Sequence, residues 1–354
     1  MSDKYLTNDN LSFNKLSSLF TVKELGLSVN KESIKIIKVG TGDTIVLIWS
    51  QMHGNESTST KSLLDLINAF NNSEFSSILK KCTLHIIPIL NPDGARLYSR
   101  ENFKNVDLNR DAKNNSQPES RLLNDYHEKI NPHYCFNLHD QRTIYGSDND
   151  SNPSALSFLS PSYDLINSIN NTRNKSMYII YQIYIKLSEL IKDRIRLYND
   201  DYNENCFGDH FQSRGSSTIL FESGFFENDY NREKTRKYMF LSFIIALQLI
   251  SNKISNSLIA NRYEFIPKNT ERFYDIILNN VFINDSKIDI GINFKETLKN
   301  NLISFIPYVE EVGDLNSWIG HKEIDLSNSS IKFDSESFII GKELNELLVN
   351  RLNF

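Results

Sequence analysis

The stretch TIVLIWSQMHGNE, residues 44–56, decides the fold that the sequence predicts. Its first half is a continuous apolar run, which is typical of a strand that is covered on both faces of a sheet. Its second half presents an imidazole, His53, and a carboxylate, Glu56, with Gly54 between them. A glycine at that position would let the loop turn tightly. We therefore expect a buried strand that ends in a loop carrying two metal-binding side chains.

Three further apolar runs are of the same kind: TLHIIPIL (83–90), HYCFNLH (133–139) and STILFES (217–223). Helix candidates alternate with these runs, at 57–71, 117–130, 163–196 and 228–252. An alternation of buried strands and amphipathic helices predicts an α/β sandwich with a largely parallel sheet.

Both ends of the chain differ from this alternating region. Residues 1–40 predict a helical or irregular lead-in that finishes with a short strand, ESIKIIKVG. After residue 255 the apolar runs become short, β-branched and aromatic, and Asn-Asp and Gly interrupt them. We expect a main domain over residues 1–257, with its core at about 40–252, and a small β-rich accessory domain over residues 258–354.

The composition is that of an ordinary globular protein, with 354 residues of which 40% are apolar and 23% are charged. The net charge of −5 and the lack of a basic block give no reason to expect a nucleic acid or a membrane as partner. Three cysteines without a CxxC pair do not predict a disulfide framework. We see no secretory signal and no apolar stretch of the ~20 residues that a membrane helix needs, so we expect a cytoplasmic protein.

Four chemically active side chains follow the predicted strands. In an open α/β sheet, ligands bind beyond the carboxyl ends of the strands. His53 and Glu56 come after the first strand, His139 ends the third, and Glu222 ends the fourth. Zinc takes imidazole nitrogen and carboxylate oxygen, so two histidines and one glutamate form a suitable set, and Glu222 remains as a proton acceptor. Each residue alone is a weak signal, and their joint position makes the prediction.

The motifs HGNE (53–56), NPDG (91–94) and VDLNRD (106–111), followed by His139 and Glu222, occur in the order found in zinc metallocarboxypeptidases. The chain resembles this carboxypeptidase A/B-like family over about residues 40–250. The resemblance implies an α/β/α sandwich around a mixed, mostly parallel sheet. It also makes the main domain the catalytic one, and leaves the β-rich C-terminal region outside the family.

The resemblance implies one zinc ion, held by His53, Glu56 and His139. Glu222 would then be the general base that takes a proton from the zinc-bound water and later passes it to the leaving amine. The expected activity is that of a hydrolase, a metallopeptidase that cleaves a C-terminal peptide or amide bond.

Four more residues match positions with roles in the family. Asn109 and Arg110 would bind the C-terminal carboxylate of a substrate, since a guanidinium grips a carboxylate with two parallel hydrogen bonds. Arg100 would polarise the scissile carbonyl and stabilise the oxyanion. Asp107 would orient His53 from behind.

The chain departs from the family after the third ligand. The family has a small residue there, whereas this chain has Asp140 and Gln141. Either these two satisfy buried backbone groups or they reshape the substrate pocket, and the sequence does not choose. The tyrosine that covers the substrate should precede the base by about 20 residues. Tyr198 and Tyr202 both qualify, and Tyr202 is the better placed.

Two other functions fit the same residues. A zinc-dependent deacylase of acyl amino acids, or an amidase of peptidoglycan stem peptides, would use the same metal set and carboxylate clamp. A binding module with an inherited fold and no chemistry is the second alternative, although the intact metal set and base argue against it. The substrate is therefore expected to be a peptide or a small acylated amino acid, and the oligomeric state is left open.

Overall fold

The computed structural model describes residues 5–13, 16–71, 74–148, 150–199, 201–253, 260–283, 286–329, 333, 336–344 and 349. Their contacts divide the chain into two compact units. The larger unit comprises the described residues of 6–141 and 154–269. The smaller unit comprises those of 1–5, 142–153 and 270–354.

The strands are β1 Phe20–Leu27, β2 Ser33–Val39, β3 Thr44–Trp49, β4 Cys82–Ile87, β5 Tyr134–Asp140, β6 Tyr145–Gly146, β7 Leu156–Leu159, β8 Ile195–Leu197, β9 Ser217–Ser223, β10 Thr270–Glu271, β11 Phe273–Ile283, β12 Ser286–Lys299, β13 Leu302–Gly313 and β14 Ile319–Asp325. The helices are α1 Thr58–Asn71, α2 Ser76–Leu79, α3 Pro92–Leu97, α4 Pro118–Ile130, α5 Asn171–Ser188, α6 Phe207–Ser213, α7 Glu233–Ser251 and α8 Ala260–Tyr263.

The larger unit is built on one mixed sheet, with the strand order β1-β2-β4-β3-β5-β9-β7-β8. The four strands that the sequence predicts from apolar runs, β4, β3, β5 and β9, are neighbours at its centre and are all parallel. The pairings β1–β2, β2–β4 and β7–β9 are antiparallel. The carboxyl ends of the central strands therefore meet at one edge, and the predicted fold class is confirmed.

Helices cover both faces of this sheet, which explains why its central strands are continuous apolar runs. In β3, Val46 and Ile48 belong to the core on the side of α1, α5 and α7. Leu47 and Trp49 belong to the core on the other side, with residues of α4 and α6. Trp49 meets the ring of Phe211 edge to face, with the centroids 5.4 Å apart. Since successive side chains of a strand face opposite ways, the four buried positions of β3 face one core or the other, and all four are apolar.

The lead-in is the main difference from the sequence expectation. Phe20–Leu27 is a strand, β1, and not a helical or irregular segment. It pairs with β2 at the margin of the sheet and most of its residues are exposed, so it lacks the apolar run of a buried strand. The helix expected over 163–196 is also shorter, because Asn170 caps α5 by accepting the amide hydrogen of Arg173.

The smaller unit is β-rich, as the sequence predicts for the C-terminal region. Its main sheet has the order β13-β12-β11-β14, and β10 pairs with β6. Ile276, Leu278, Ile290 and Ile292 belong to its own apolar core. The units divide at residue 269, whereas the sequence places an accessory domain from residue 258. The division into a catalytic and an accessory domain remains a prediction.

All three cysteines, Cys82, Cys135 and Cys206, carry thiols that form no disulfide. Burial raises the pKa of the Cys82 thiol to about 11, so it stays protonated at neutral pH. Within the described residues, no helix combines the length and the apolar character needed to span a membrane.

Candidate metal centre and catalytic site

Three side chains of the larger unit converge where β3 and β5 end. His53 and Glu56 follow β3, and His139 lies near the end of β5. One ligand atom from each residue lies within 4.8 Å of the other two. Nδ1 of His53 is 2.8 Å from Oε1 of Glu56, and Nδ1 of His139 is 2.9 Å from Oε2 of the same carboxylate. The two Nδ1 atoms are 3.0 Å apart.

This donor set fits a divalent cation such as zinc. Nε2 of His53 lies 3.1 Å from Oδ1 of Asp107, and a carboxylate only accepts hydrogen bonds. A proton on Nε2 would leave the lone pair of Nδ1 for a cation. Nε2 of His139 is buried without a hydrogen-bond partner among the described residues. Two imidazole nitrogens and a carboxylate that face one another at 3 Å need a proton or a cation between them. Two histidines and a glutamate are also a known ligand set of catalytic zinc.

The charges of Glu56 and His139 suit metal binding. Burial acts against ionisation of Glu56, but His53 and His139 hold the pKa of its carboxyl well below the ordinary range. Burial lowers the pKa of His139, and the carboxylate of Glu56 only partly offsets this. Glu56 is therefore ionised and His139 is neutral, which are the forms that coordinate a metal.

A close approach of two backbones shapes the loop that carries His53 and Glu56. A Cβ on Gly54 would lie 2.0 Å from the carbonyl carbon of Gly94. Asn91 joins the same two loops, since its Nδ2 donates to the Met52 carbonyl at 3.1 Å and its Oδ1 accepts from the Gly94 amide at 2.9 Å. Gly54 lies in a tight turn, as the sequence predicts, and the Glu56 amide closes this turn by donating to the His53 carbonyl at 3.1 Å. Its φ is not positive, so the turn itself does not demand a glycine. The glycine is required because a side chain would strike the NPDG segment.

Glu222 lies beside the third ligand. Strands β5 and β9 are parallel, and their register places Glu222 directly opposite His139. Glu222 is buried, with 7% of the residue exposed. Burial, together with the carboxylates of Glu56 and Asp140, raises the pKa of the Glu222 carboxyl well above its ordinary value. A carboxyl with a raised pKa is better suited to exchange protons near neutral pH.

Asp107 connects His53 with Arg100. Its Oδ1 faces His53 and accepts the Asn109 amide hydrogen at 2.8 Å, and its Oδ2 accepts from Nε of Arg100 at 3.1 Å. Nη1 of Arg100 is 3.4 Å from Oε1 of Glu56. The hydrogen bond from His53 and the nearby positive charges outweigh burial and hold the pKa of Asp107 below its ordinary range. Arg100 thus lies at the border of the His–Glu–His cluster.

Asn109 and Arg110 belong to a short 3-10 turn, Leu108–Arg110. Oδ1 of Asn109 accepts the amide hydrogen of Phe207 at 3.0 Å, which fixes the side-chain amide and leaves its hydrogens as donors. Arg110 is exposed, and its Nη1 lies 2.8 Å from the Asn109 carbonyl and 3.1 Å from Sγ of Cys206. Among the residues that the structure describes, no carboxylate lies within ion-pair distance of its guanidinium. The arrangement leaves a cation and an amide donor side by side.

Tyr202 lines a cavity of about 490 Å³. The other lining residues are Tyr163, Asp164, Leu165, Ile166, Asn203 and Glu204. The Asp209 carboxylate joins the two segments that carry these residues. It accepts the backbone amide hydrogens of Ser162 at 2.8 Å and Asn203 at 3.1 Å. In the described part of the chain, Tyr202 makes no hydrogen bond to the His–Glu–His cluster. Its role over a substrate remains a prediction.

Asp140 and Gln141 satisfy backbone groups, the first of the two interpretations that the sequence left open. The Asp140 carboxylate accepts the amide hydrogens of Thr58 at 2.7 Å and Ser59 at 3.0 Å. Nε2 of Gln141 donates to the Ser154 carbonyl at 3.3 Å. Neither Asp140 nor Gln141 lines the cavity at Tyr202.

Sequence reasoning missed two residues near the cluster. Oγ of Ser59 donates to the His139 carbonyl at 2.8 Å, and Nη1 of Arg232 donates to the Gln141 carbonyl at 2.9 Å. The run STST at 57–60, directly after the predicted ligand Glu56, is a signal for a helix start and could have pointed to Ser59. Arg232 has no local signal, since the Gln141 carbonyl that it binds lies 91 positions away in the chain.

Comparison with known proteins shows what part of the chain and its fold are similar to. A family model described as zinc carboxypeptidase matches residues 11–184, which include His53, Glu56 and His139 but end before Glu222. Carboxypeptidase SOL1 of Arabidopsis thaliana is 31% identical over 127 residues, 30% of this chain and 25% of that protein. Carboxypeptidase 2 of Trichophyton rubrum is 30% identical over 97 residues, 26% of this chain and 18% of that protein. The matched segments thus span a quarter or less of these relatives.

A solved structure extends the similarity to the fold. The metallo-carboxypeptidase from Burkholderia cenocepacia superposes with a TM-score of 0.53 at 17% identity, over 67% of this chain and 65% of that chain. The family model and the fold are those of metal-dependent hydrolases. The chain thus resembles the zinc carboxypeptidase family over residues 11–184 and shares the fold of a metallo-carboxypeptidase.

Proposed function

We propose that the protein is a zinc-dependent carboxypeptidase that hydrolyses the C-terminal peptide or amide bond of its substrate. One observation carries this proposal: the His53–Glu56–His139 cluster has Glu222 directly opposite His139 in the sheet register. A spare buried carboxyl beside a His₂Glu set is what metal-assisted hydrolysis requires. When bound, zinc would supply Lewis-acid polarisation of the scissile carbonyl and lower the pKa of water.

Glu222 handles the protons of the reaction. It accepts one from the attacking water and donates it to the nitrogen of the leaving amine. A carboxyl does both only if its pKa lies near the working pH, and the raised pKa of Glu222 supports this role. Arg100, held by Asp107 at the border of the cluster, faces the carbonyl oxygen as negative charge develops there.

Asn109 and Arg110 select which bond is cleaved. They hold the free carboxylate of the last residue with an amide donor and a guanidinium. Because the clamp and the metal cluster are both fixed to the larger unit, only a bond one residue from the carboxylate reaches the reacting groups. The hydrogen bond from Phe207 to Asn109 supports this role, since it orients the amide donors.

A substrate panel tests the proposal and separates it from a deacylase or an amidase. The panel contains peptides with free C-termini, acyl amino acids and muropeptides, each assayed with zinc added and then with the zinc chelated. We expect free-carboxylate peptides to be cleaved fastest, and chelation to abolish the activity. Faster turnover of acyl amino acids or muropeptides would assign the protein to the other substrate class. Zinc binding without any turnover would favour the binding module.

Replacement of Arg110 by alanine should raise KM for a free-carboxylate peptide by about 10–100-fold, because a charged hydrogen-bond partner is lost. The kcat should change less, since the reacting groups are untouched. Hydrolysis of the same peptide with an amidated C-terminus should be unaffected. Arg214→Ala is a matched control, because Arg214 is exposed and pairs with Glu128 instead. An equal loss on both peptides would contradict the clamp assignment.

A further inference from the structure

Asp140 occupies a junction between elements that carry the metal ligands. Its carboxylate accepts two amide hydrogens in the first turn of α1, from Thr58 at 2.7 Å and from Ser59 at 3.0 Å. A carboxylate at a helix N-terminus pairs otherwise unbonded N–H groups and interacts favourably with the helix dipole. Its own amide hydrogen goes to Oε2 of Glu56 at 3.1 Å. Asp140 therefore bonds both the ligand Glu56 and the helix that follows it.

Ser59 attaches the same helix turn to two strands. Its Oγ lies 2.8 Å from the His139 carbonyl and 2.8 Å from Oγ of Ser223. Ser59 and Ser223 are fully buried. Since Ser223 follows Glu222 in β9, this hydroxyl pair connects the start of α1 with the strand that carries the proposed base.

Arg232 joins the carboxyl ends of β5 and β9. Its Nη1 donates to the Gln141 carbonyl at 2.9 Å and lies 3.4 Å from the Ser223 carbonyl. The backbone of Arg232 is left-handed, with φ 57° and ψ 28°, which is a costly conformation for a residue with a side chain. Its guanidinium also supplies a positive charge near the carboxylates of Asp140 and Glu222.

These four residues, Ser59, Asp140, Ser223 and Arg232, form a bonded layer behind the cluster. None of them is needed as a ligand, base or substrate clamp. Yet the layer connects the loop of His53 and Glu56, the strand of His139 and the strand of Glu222.

We propose that Asp140 is a positioning residue, which fixes the ligand pair on the α1 loop relative to His139 and Glu222 by capping α1. This inference rests on the proposed function, because it concerns the same metal centre. The connection is short, since the Thr58 amide that donates to the Asp140 carboxylate lies only two positions after Glu56. Metal and catalytic sites tolerate errors of only about 0.5 Å, so loss of this link should disturb coordination before it disturbs folding.

The test compares Asp140→Ala and Asp140→Asn with the wild type. Zinc and cobalt dissociation constants are measured by chelator competition, together with the cobalt absorption spectrum and the thermal midpoint. For Asp140→Ala we expect about 10–100-fold weaker zinc binding and an altered cobalt spectrum. Asp140→Asn keeps one acceptor oxygen and should show a smaller loss. In zinc-saturated protein, kcat should fall more than KM rises, because Asn109 and Arg110 are untouched.

Asp275→Asn is the matched control. Asp275 is buried in the smaller unit and accepts the amide hydrogen of Phe294 at 2.7 Å, so its replacement also changes a buried carboxylate that binds backbone. It should lower the thermal midpoint and leave zinc affinity unchanged. Wild-type zinc affinity in both Asp140 variants would overturn the inference, and so would failure of both to fold, which would make Asp140 a stability residue. If the wild type itself binds neither zinc nor cobalt, the result contradicts the proposed function, and the Asp140 inference falls with it.

Discussion

Glu222→Gln should retain zinc and lose about 10²–10⁴-fold in kcat. Glutamine has nearly the shape of glutamate but cannot take a proton from water or return one to the amine. The residue is buried opposite His139 and is not one of the three clustered ligands, so metal binding should survive the change. The measurements are zinc content of the purified variant and steady-state kinetics with a free-carboxylate peptide.

Glu189→Gln provides the control for this experiment. Glu189 is an exposed residue just after α5, so the same chemical change there should alter neither zinc content nor kcat. A Glu222→Gln protein that keeps most of its turnover would exclude Glu222 as the base. Loss of zinc together with turnover would instead mean that Glu222 helps to hold the metal.

Gly54→Ala should weaken zinc binding by at least about 100-fold, more than loss of a residue behind the ligands would. The new Cβ would lie 2.0 Å from the Gly94 carbonyl carbon and 2.2 Å from the Ala95 nitrogen. Both are backbone atoms, so the loop must move and carry His53 and Glu56 with it. Forced overpacking should also cost about 1–3 kcal/mol of stability. Zinc titration and thermal unfolding measure the two effects.

Gly313→Ala is the matched control for that substitution. Gly313 ends β13, lacks a positive φ, and a Cβ there would meet no atom within 4 Å. It should leave both zinc affinity and the thermal midpoint near their wild-type values. Wild-type zinc affinity in Gly54→Ala would show that the close approach to Gly94 does not set the geometry of the loop.

Much of the fold follows from local patterns. The apolar runs of β3, β4, β5 and β9 identify the buried centre of the sheet, because strands covered on both faces are mostly apolar along their length. The edge strand β1 could not be predicted in this way, because most of its residues are exposed and need not be apolar. The clustering of His53, Glu56 and His139 follows from the same logic, because parallel strands end at one edge.

The sequence by itself determined the fold class, the three candidate ligands and the carboxyl beside them, since each depends on apolar periodicity and on the chemistry of a few residue types. Only the tertiary structure decided why Gly54 is a glycine and what Asp140 does. The partners of these residues, Gly94 and the first turn of α1, are about 40 and 80 positions away in the chain. Local propensity carries no information over such separations, and only the spatial meeting of strand ends, loops and a helix start creates those contacts.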